Sequence, residues 1–271
     1  MPDQDRLSQN HAGQRQPHHD SDTPVHASAD SCLDALFART GPHVVIGTPL
    51  GIGKPHRLLN AINESIHGAT DADSLFHTLC GVAVKAGGFR MAWIGRVDSD
   101  GPDGGTRIMP VTSAGVDDGY TDSIQREPDR FVQSRLVAVQ ALGSGSLAVI
   151  DDLAAEPADD WVQAGLERGY RAAAGIPVRQ AGTIVAVMVI MSEEPNRFGG
   201  PERELLVSLG RSVSRALDFA HAEAQRLLAQ KAVLQGTWLS WVASQIYLLR
   251  PAAYASMVRR ELARLQETTE N

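Results

Sequence analysis

The sequence is poor in cysteine. Only Cys32 and Cys80 occur in 271 residues; they make no disulfide framework, and no CxxC pair suggests a metal. Cys80 lies in an apolar helical stretch and reads as a buried thiol. Aromatic residues are scarce at 5%, so Ala, Val, Leu and Ile must build most of the core. Positive charge is also short, with a formal net charge of -7. Neutralising phosphates takes a basic excess, so this balance argues against general nucleic-acid binding. No stretch approaches the roughly 20 apolar residues of a membrane helix, and the opening residues MPDQDRLSQNHAGQRQPHHD lack an apolar signal core. A cytoplasmic protein without a transmembrane segment is the expectation.

What is present is ordinary for a soluble globular chain, with 43% hydrophobic and 21% charged residues. Four stretches follow from the composition: a polar, disordered segment over 1–42, a Gly-rich strand and loop over 43–56, a regular body over 57–220 and a helical tail over 221–271. In the first, His11, His18, His19 and His26 are spaced too irregularly for a metal site, and Asp30 to Ala38 allows a short amphipathic helix. The run HVVIGTPLGIGKP, His43 to Pro55, imitates a phosphate loop. It fails in detail: Thr48 stands where the first glycine belongs, and Pro55 replaces the Ser or Thr that would hold magnesium.

The body alternates helix and strand signals. Leu58, Leu59, Ile62 and Ile66 share a helical face that Gly68 ends, and Thr70 or Asp71 caps the next helix. Phe89 to Val97 and Arg107 to Ala114 make a strand hairpin around the turn Asp98 to Gly105. Short helices are predicted over Asp117 to Ile124 and Phe131 to Leu142, then a strand over Leu147 to Ile150. Asp159 or Asp160 caps a helix ended by Gly169. Tyr170 to Val178 and Thr183 to Met191 close the sheet, the latter apolar on both faces and therefore central. Pro201 opens a long helix striped by Leu205, Leu206, Leu209, Val213, Leu217 and Ala220.

This is an α+β pattern around an antiparallel sheet flanked by helices. Over residues 57–219 the chain resembles the GAF family, a PAS-like fold. The resemblance rests on LLNAINESIHGATDADSLFHTLCGVAVKAGGFRMAWIGRVD and, more specifically, on VIDD, the spacing from Trp161 to Gly169-Tyr170, the IPV and AG pairs, and the RF before an acidic, leucine-rich helix. It implies a sensory fold that binds a small molecule between the sheet and its covering helices, regulates an effector and pairs through its first and last helices, here 57–67 and 201–228. Trp93, Asp151, Asp152, Trp161, Tyr170 and Arg171 are the candidate pocket residues by position; the ligand is unknown. The chain departs from bilin-binding members, having no Cys after Cys80, and from the family's methionine sulfoxide reductases, lacking their pocket cysteines. It has no full NKFDE-like signature.

A second, shorter similarity joins residues 43–61 to the N-terminal strand and loop of acetyl-CoA hydrolase/transferase proteins, without that enzyme's catalytic Glu region. The tail brings Trp238, Trp241, Val242, Ile246, Tyr247 and Leu249 together, and packing or dimerisation is preferred over a membrane surface for it. No GGDEF, kinase, phosphodiesterase or helix-turn-helix motif follows, so the expectation is that the output device is missing or is a separate effector protein. The functional expectation is a sensory or regulatory module, cofactor unknown. The alternatives are an acyl-CoA enzyme remnant and a ligand-free interaction module. The adjacent carboxylates Asp117-Asp118, Asp151-Asp152 and Asp159-Asp160 sit at turns or caps, where neighbours do not converge on one catalytic site.

Overall fold

The computed structural model describes residues 54–99 and 105–270. The disordered segment expected over 1–42, its short helix and the Gly-rich loop up to Gly53 lie outside the described residues.

Five antiparallel strands form one sheet: β1 (Met91–Asp98), β2 (Arg107–Gly115), β3 (Ala148–Ile150), β4 (Ala172–Gln180) and β5 (Thr183–Ser192), in spatial order β2-β1-β5-β4-β3. The apolar run of β5 is central, as its two-faced hydrophobicity requires. Its Ala186, Met188 and Ile190 enter one core layer, while Val187, Val189 and Met191 enter another. Period-two alternation thus builds two layers from one strand.

The first layer is made by long helices: α1 (Lys54–Gly68), α2 (Ala72–Lys85) and α7 (Gly200–Ala229). The Asp71 carboxylate accepts from the Ser74 N–H at 2.7 Å, and the Ser74 hydroxyl receives the Asp71 N–H at 3.1 Å. This reciprocal cap satisfies two otherwise orphan donors and fixes where α2 begins. Pro201 sits in the first turn of α7, where its missing N–H costs nothing.

The second layer consists of short helices: α3 (Tyr120–Arg126), α4 (Pro128–Phe131), α5 (Val137–Ser144) and α6 (Asp160–Glu167). α3 starts three residues later than the sequence predicts, because Asp118 and Gly119 take positive φ of 43° and 77°. The single helix expected over Phe131 to Leu142 is broken. Phe131, Leu136, Val137 and Ala138 are all buried, and on one continuous helix they would point around its whole circumference. A turn between α4 and α5, with Ser134 N–H on Phe131 O at 2.9 Å, brings them all inward. α5 then rests on the sheet at Gly175, where a Cβ would lie 2.3 Å from the Val137 carbonyl oxygen; only glycine permits that approach.

The tail continues through α8 (Lys231–Leu234), α9 (Trp238–Leu248) and α10 (Ala252–Glu270). Met257, Val258 and Leu262 of α10 are buried in the first layer with Leu217, Ala220 and Ala224 of α7. Polar contacts reinforce this packing. Glu261 meets His221 at 2.6 Å and Gln180 at 3.3 Å, and Arg260 meets Asp71 at 3.0 Å. Burial by itself would raise the pKa of Glu261, but the hydrogen bonds from Arg264 and His221 hold it below the usual carboxylate value.

Candidate functional site

The second layer is where the aromatic residues gather. Paired across the sheet are Trp93 on β1, Val189 on β5 and Gly175 on β4. The indole of Trp93 lies in the second layer, with Tyr120, Phe131, Trp161 and Tyr170. Ring edges meet ring faces: Trp93 and Phe131 have centroids 5.9 Å apart, Phe131 and Trp161 5.3 Å, and Tyr120 and Tyr170 5.7 Å. The quadrupoles of the rings favour these T-shaped contacts.

Between these rings lies a cavity of about 10 Å³, lined by Trp93, Tyr120, Phe131 and Tyr170 with aliphatic residues such as Leu153, Val189 and Met191. That is the lower limit for a single water. Among the described residues no charged side chain lines it. Among the described residues, the indole nitrogens of Trp93 and Trp161 in this layer are buried donors without an acceptor. Trp238, by contrast, donates its indole N–H to Leu227 O at 2.8 Å. An unmet buried donor costs roughly 1–3 kcal/mol, and such groups are rare in folded proteins.

The rim of the layer is held by polar contacts. The Asp117 carboxylate accepts from Ser113 Oγ at 2.7 Å, from the Thr121 N–H at 2.9 Å and from the Thr121 hydroxyl. Burial alone would raise the Asp117 pKa, but these bonds outweigh it and hold the carboxyl below its ordinary value. Arg168 carries no carboxylate partner among its hydrogen bonds. It donates to the carbonyls of Asp117 at 3.1 Å, Ala164 at 2.8 Å and Asp118 at 2.7 Å, and stands 5.8 Å from the Tyr120 ring. The Tyr170 hydroxyl donates to Val116 O, and burial raises its pKa. The loop before α3 is thereby tied to the connection between α6 and β4.

The six residues singled out in the sequence fall into two groups. Trp93 and Tyr170 line the cavity, and Trp161 stands behind Phe131 in the same layer. Asp151, Asp152 and Arg171 lie outside the lining. Arg171 grips Asp152 through two bonds of 3.1 and 3.0 Å, which hold the Asp152 carboxyl below its usual pKa. Asp152 also caps the turn Leu153–Ala155, and Asp151 pairs with Arg203 at 3.0 Å. Tyr120 and Phe131 went unrecognised, although each is an isolated aromatic in a short helical stretch of an aromatic-poor chain. Cys80 is fully buried in the first layer, across the sheet from the cavity, and burial pushes its thiol up to about 12.

A five-stranded antiparallel sheet, with long helices on one face and a cavity under short helices on the other, defines a two-layered α+β domain. The family model of the GAF domain matches residues 69–218, more than half of the chain, and the chain belongs to this family. Among curated proteins none matches. Similar solved structures include the free methionine-R-sulfoxide reductase of Neisseria meningitidis in complex with its substrate, at 14% identity over 64% of this chain and 96% of that one, TM-score 0.48. They include the GAF domain of an Acinetobacter phosphoenolpyruvate-protein phosphotransferase, at 16% identity over 64% and 98%, TM-score 0.46. A domain of a two-component sensor histidine kinase protein from Sinorhizobium meliloti 1021 is 15% identical over 60% and 97%, TM-score 0.42. None of these matches concerns the acetyl-CoA hydrolase/transferase similarity of residues 43–61, most of which lies outside the described residues.

Proposed function

We propose that this protein is a sensory and regulatory module whose small-molecule ligand enters the aromatic layer between the sheet and helices α3 to α6. The observation that carries this reading is the pair of buried indole N–H groups, on Trp93 and Trp161, with no acceptor. A ligand that fits is largely apolar and flat, to lie among the rings, and brings one or two hydrogen-bond acceptors for the indoles. A charged group has no counterpart in the lining and would enter at the cost of its hydration.

Such a ligand does not fit about 10 Å³. Binding therefore displaces the short helices, and the free form is the closed state of a two-state element. Movement of α5 over Gly175 passes to β4, whose other face carries α7. Self-association along 57–67 and 201–228, and a separate effector protein as the receiver, belong to the same reading. α10 lies on part of α7, so pairing uses the flank that α10 leaves open, around Val207.

Native mass spectrometry of the protein purified gently from its own host tests this. A reproducible added mass, lost in Trp93→Phe, is the expected result. A clean mass in every preparation, with no change in tryptophan fluorescence across a metabolite library, would leave a ligand-free interaction module as the correct reading.

A further inference from the structure

A cavity of about 10 Å³ admits no ligand unless one of its walls opens, and the walls are held in different ways. α5 is seated on the sheet, with its Val137 carbonyl against Gly175. α4 is tied to α6 by the ion pair of Arg130 with Asp160 and by the contact of the Phe131 and Trp161 rings. It is also tied to β2, where Arg107 meets Asp129 through two bonds of 2.5 and 2.8 Å. The remaining wall is Tyr120 at the head of α3, carried on the loop 116–119. Among the described residues, no backbone–backbone bond joins this loop to α6 or β4. The hydrogen bonds that cross to them come from two side chains, which take three successive carbonyls. Tyr170 donates its hydroxyl to Val116 O, and Arg168 donates to Asp117 O at 3.1 Å and to Asp118 O at 2.7 Å.

The backbone held this way is not one the loop prefers. Asp118 and Gly119 lie at φ of 43° and 77°, left-handed geometry that an aspartate adopts only at a cost. Both ends of the segment can act as hinges. At the start, the Val116 N–H on Arg90 O at 3.0 Å and the Ser113 hydroxyl on the Asp117 carboxylate at 2.7 Å anchor it to the sheet. At the end, Gln125 donates to Pro110 O at 2.8 Å, and Glu127 leaves helical geometry, with φ −128° and ψ 55°, just before Pro128. That break lets α3 turn without α4, as hinges at element ends do.

We propose, on the reading that the aromatic layer takes a ligand, that residues 116–126 are the lid of the cavity and that Arg168 and Tyr170 are its latch. Entry and response then belong to different elements: α3 swings out to admit the ligand, and α5 moves over Gly175 once it is inside. The Trp93 indole lines the cavity, and its N–H is a buried donor without an acceptor among the described residues. Its exchange with deuterium oxide therefore reports water reaching the cavity, and the test follows that exchange by NMR on the full chain without ligand. In the wild type the Trp93 indole and the amides of 123–126 should exchange together, through one local opening, ahead of the amides of α5. Arg168→Gln should speed both about tenfold and Tyr170→Phe about fivefold, with α5, β5 and the Trp238 indole unchanged. Tyr170→Phe deletes a single hydroxyl and keeps the test open should Arg168→Gln fail to fold. Variants that speed the α3 amides but leave the Trp93 indole protected would overturn the lid, and so would a Trp93 indole that exchanges in step with α5. Unchanged exchange in both variants would overturn the latch. A host-derived adduct that binds while α3 stays protected would sink the lid and leave the ligand reading intact. A lid that opens as described in a protein that never carries an adduct would uphold the lid and sink that reading.

Discussion

Gly175→Ala is the sharpest probe of how the second layer sits on the sheet. The added methyl would lie 2.3 Å from the Val137 carbonyl oxygen, 2.7 Å from its carbon and 3.2 Å from the Ala141 Cβ. These are atoms of α5 and most are backbone, so no rotamer change relieves the contact. α5 must lift by about 1 Å, which forfeits packing along its buried face and costs about 1–3 kcal/mol. Loss of a glycine from the unfolded chain offsets roughly 0.4–1 kcal/mol of that. Taken at mid-range, the two leave a net destabilisation of about 1.3 kcal/mol, or roughly 3–5 °C in Tm for a domain of this size. Gly143→Ala on the same helix is the control. A Cβ there meets nothing within 4 Å, so it should be neutral or stabilising, by up to about 1 kcal/mol. Differential scanning calorimetry of the two variants decides the matter. A Gly175→Ala protein that melts with or above the wild type would show that α5 does not rest on β4 as described.

Asp117 is held below its ordinary value of 3.8, so its carboxylate stabilises the fold above that value and the contribution is lost as pH falls through the lowered pKa. Asp117→Asn should remove about 1–2 kcal/mol at neutral pH and flatten the acid side of the stability profile; an unchanged acid limb would refute the role. Cys80, with its thiol at about 12, should resist a thiol reagent at pH 8 in a Cys32→Ser background until denaturant is added, and prompt labelling of the native protein would contradict its burial. Glu261→Gln should loosen α10, raising hydrogen exchange along Ala252–Glu270 about tenfold or more through loss of charge-assisted bonds worth roughly 1.5–3 kcal/mol, with β5 unaffected; uniform exchange across both would refute a local latch.

The sequence reading succeeded where one local signal was strong. The TIVAVMVIM run declared its two buried faces, and the pairs Thr70-Asp71 and Asp159-Asp160 marked the starts of α2 and α6, which Asp71 and Asp159 cap. It was weaker where tertiary packing overrides periodicity. Nothing local says that residues 131–142 must break into two helices so that Phe131 and Val137 both turn inward. The candidate site was legible only in part. Trp93 and Tyr170, named from the sequence, line the cavity and Trp161 stands in the same layer, but Tyr120 and Phe131 come from helices whose neighbours across the cavity are distant in sequence. Asp151, Asp152 and Arg171 bond to one another or to Arg203 and lie outside the lining. The carbonyl-held Arg168 has no sequence signature, since its partners are backbone atoms.

The central claim is that the buried indoles of Trp93 and Trp161 await an acceptor supplied by a ligand. The most direct measurement is the indole N–H region of the NMR spectrum, assigned by single Trp→Phe variants, of protein carrying its host-derived adduct and of the same protein stripped of it. On loading, the resonances of Trp93 and Trp161 should move downfield as their N–H groups become hydrogen-bonded, while Trp238, already bonded to Leu227 O, stays in place. Unmoved Trp93 and Trp161 signals in an adduct-bearing protein would contradict the account and place the ligand elsewhere.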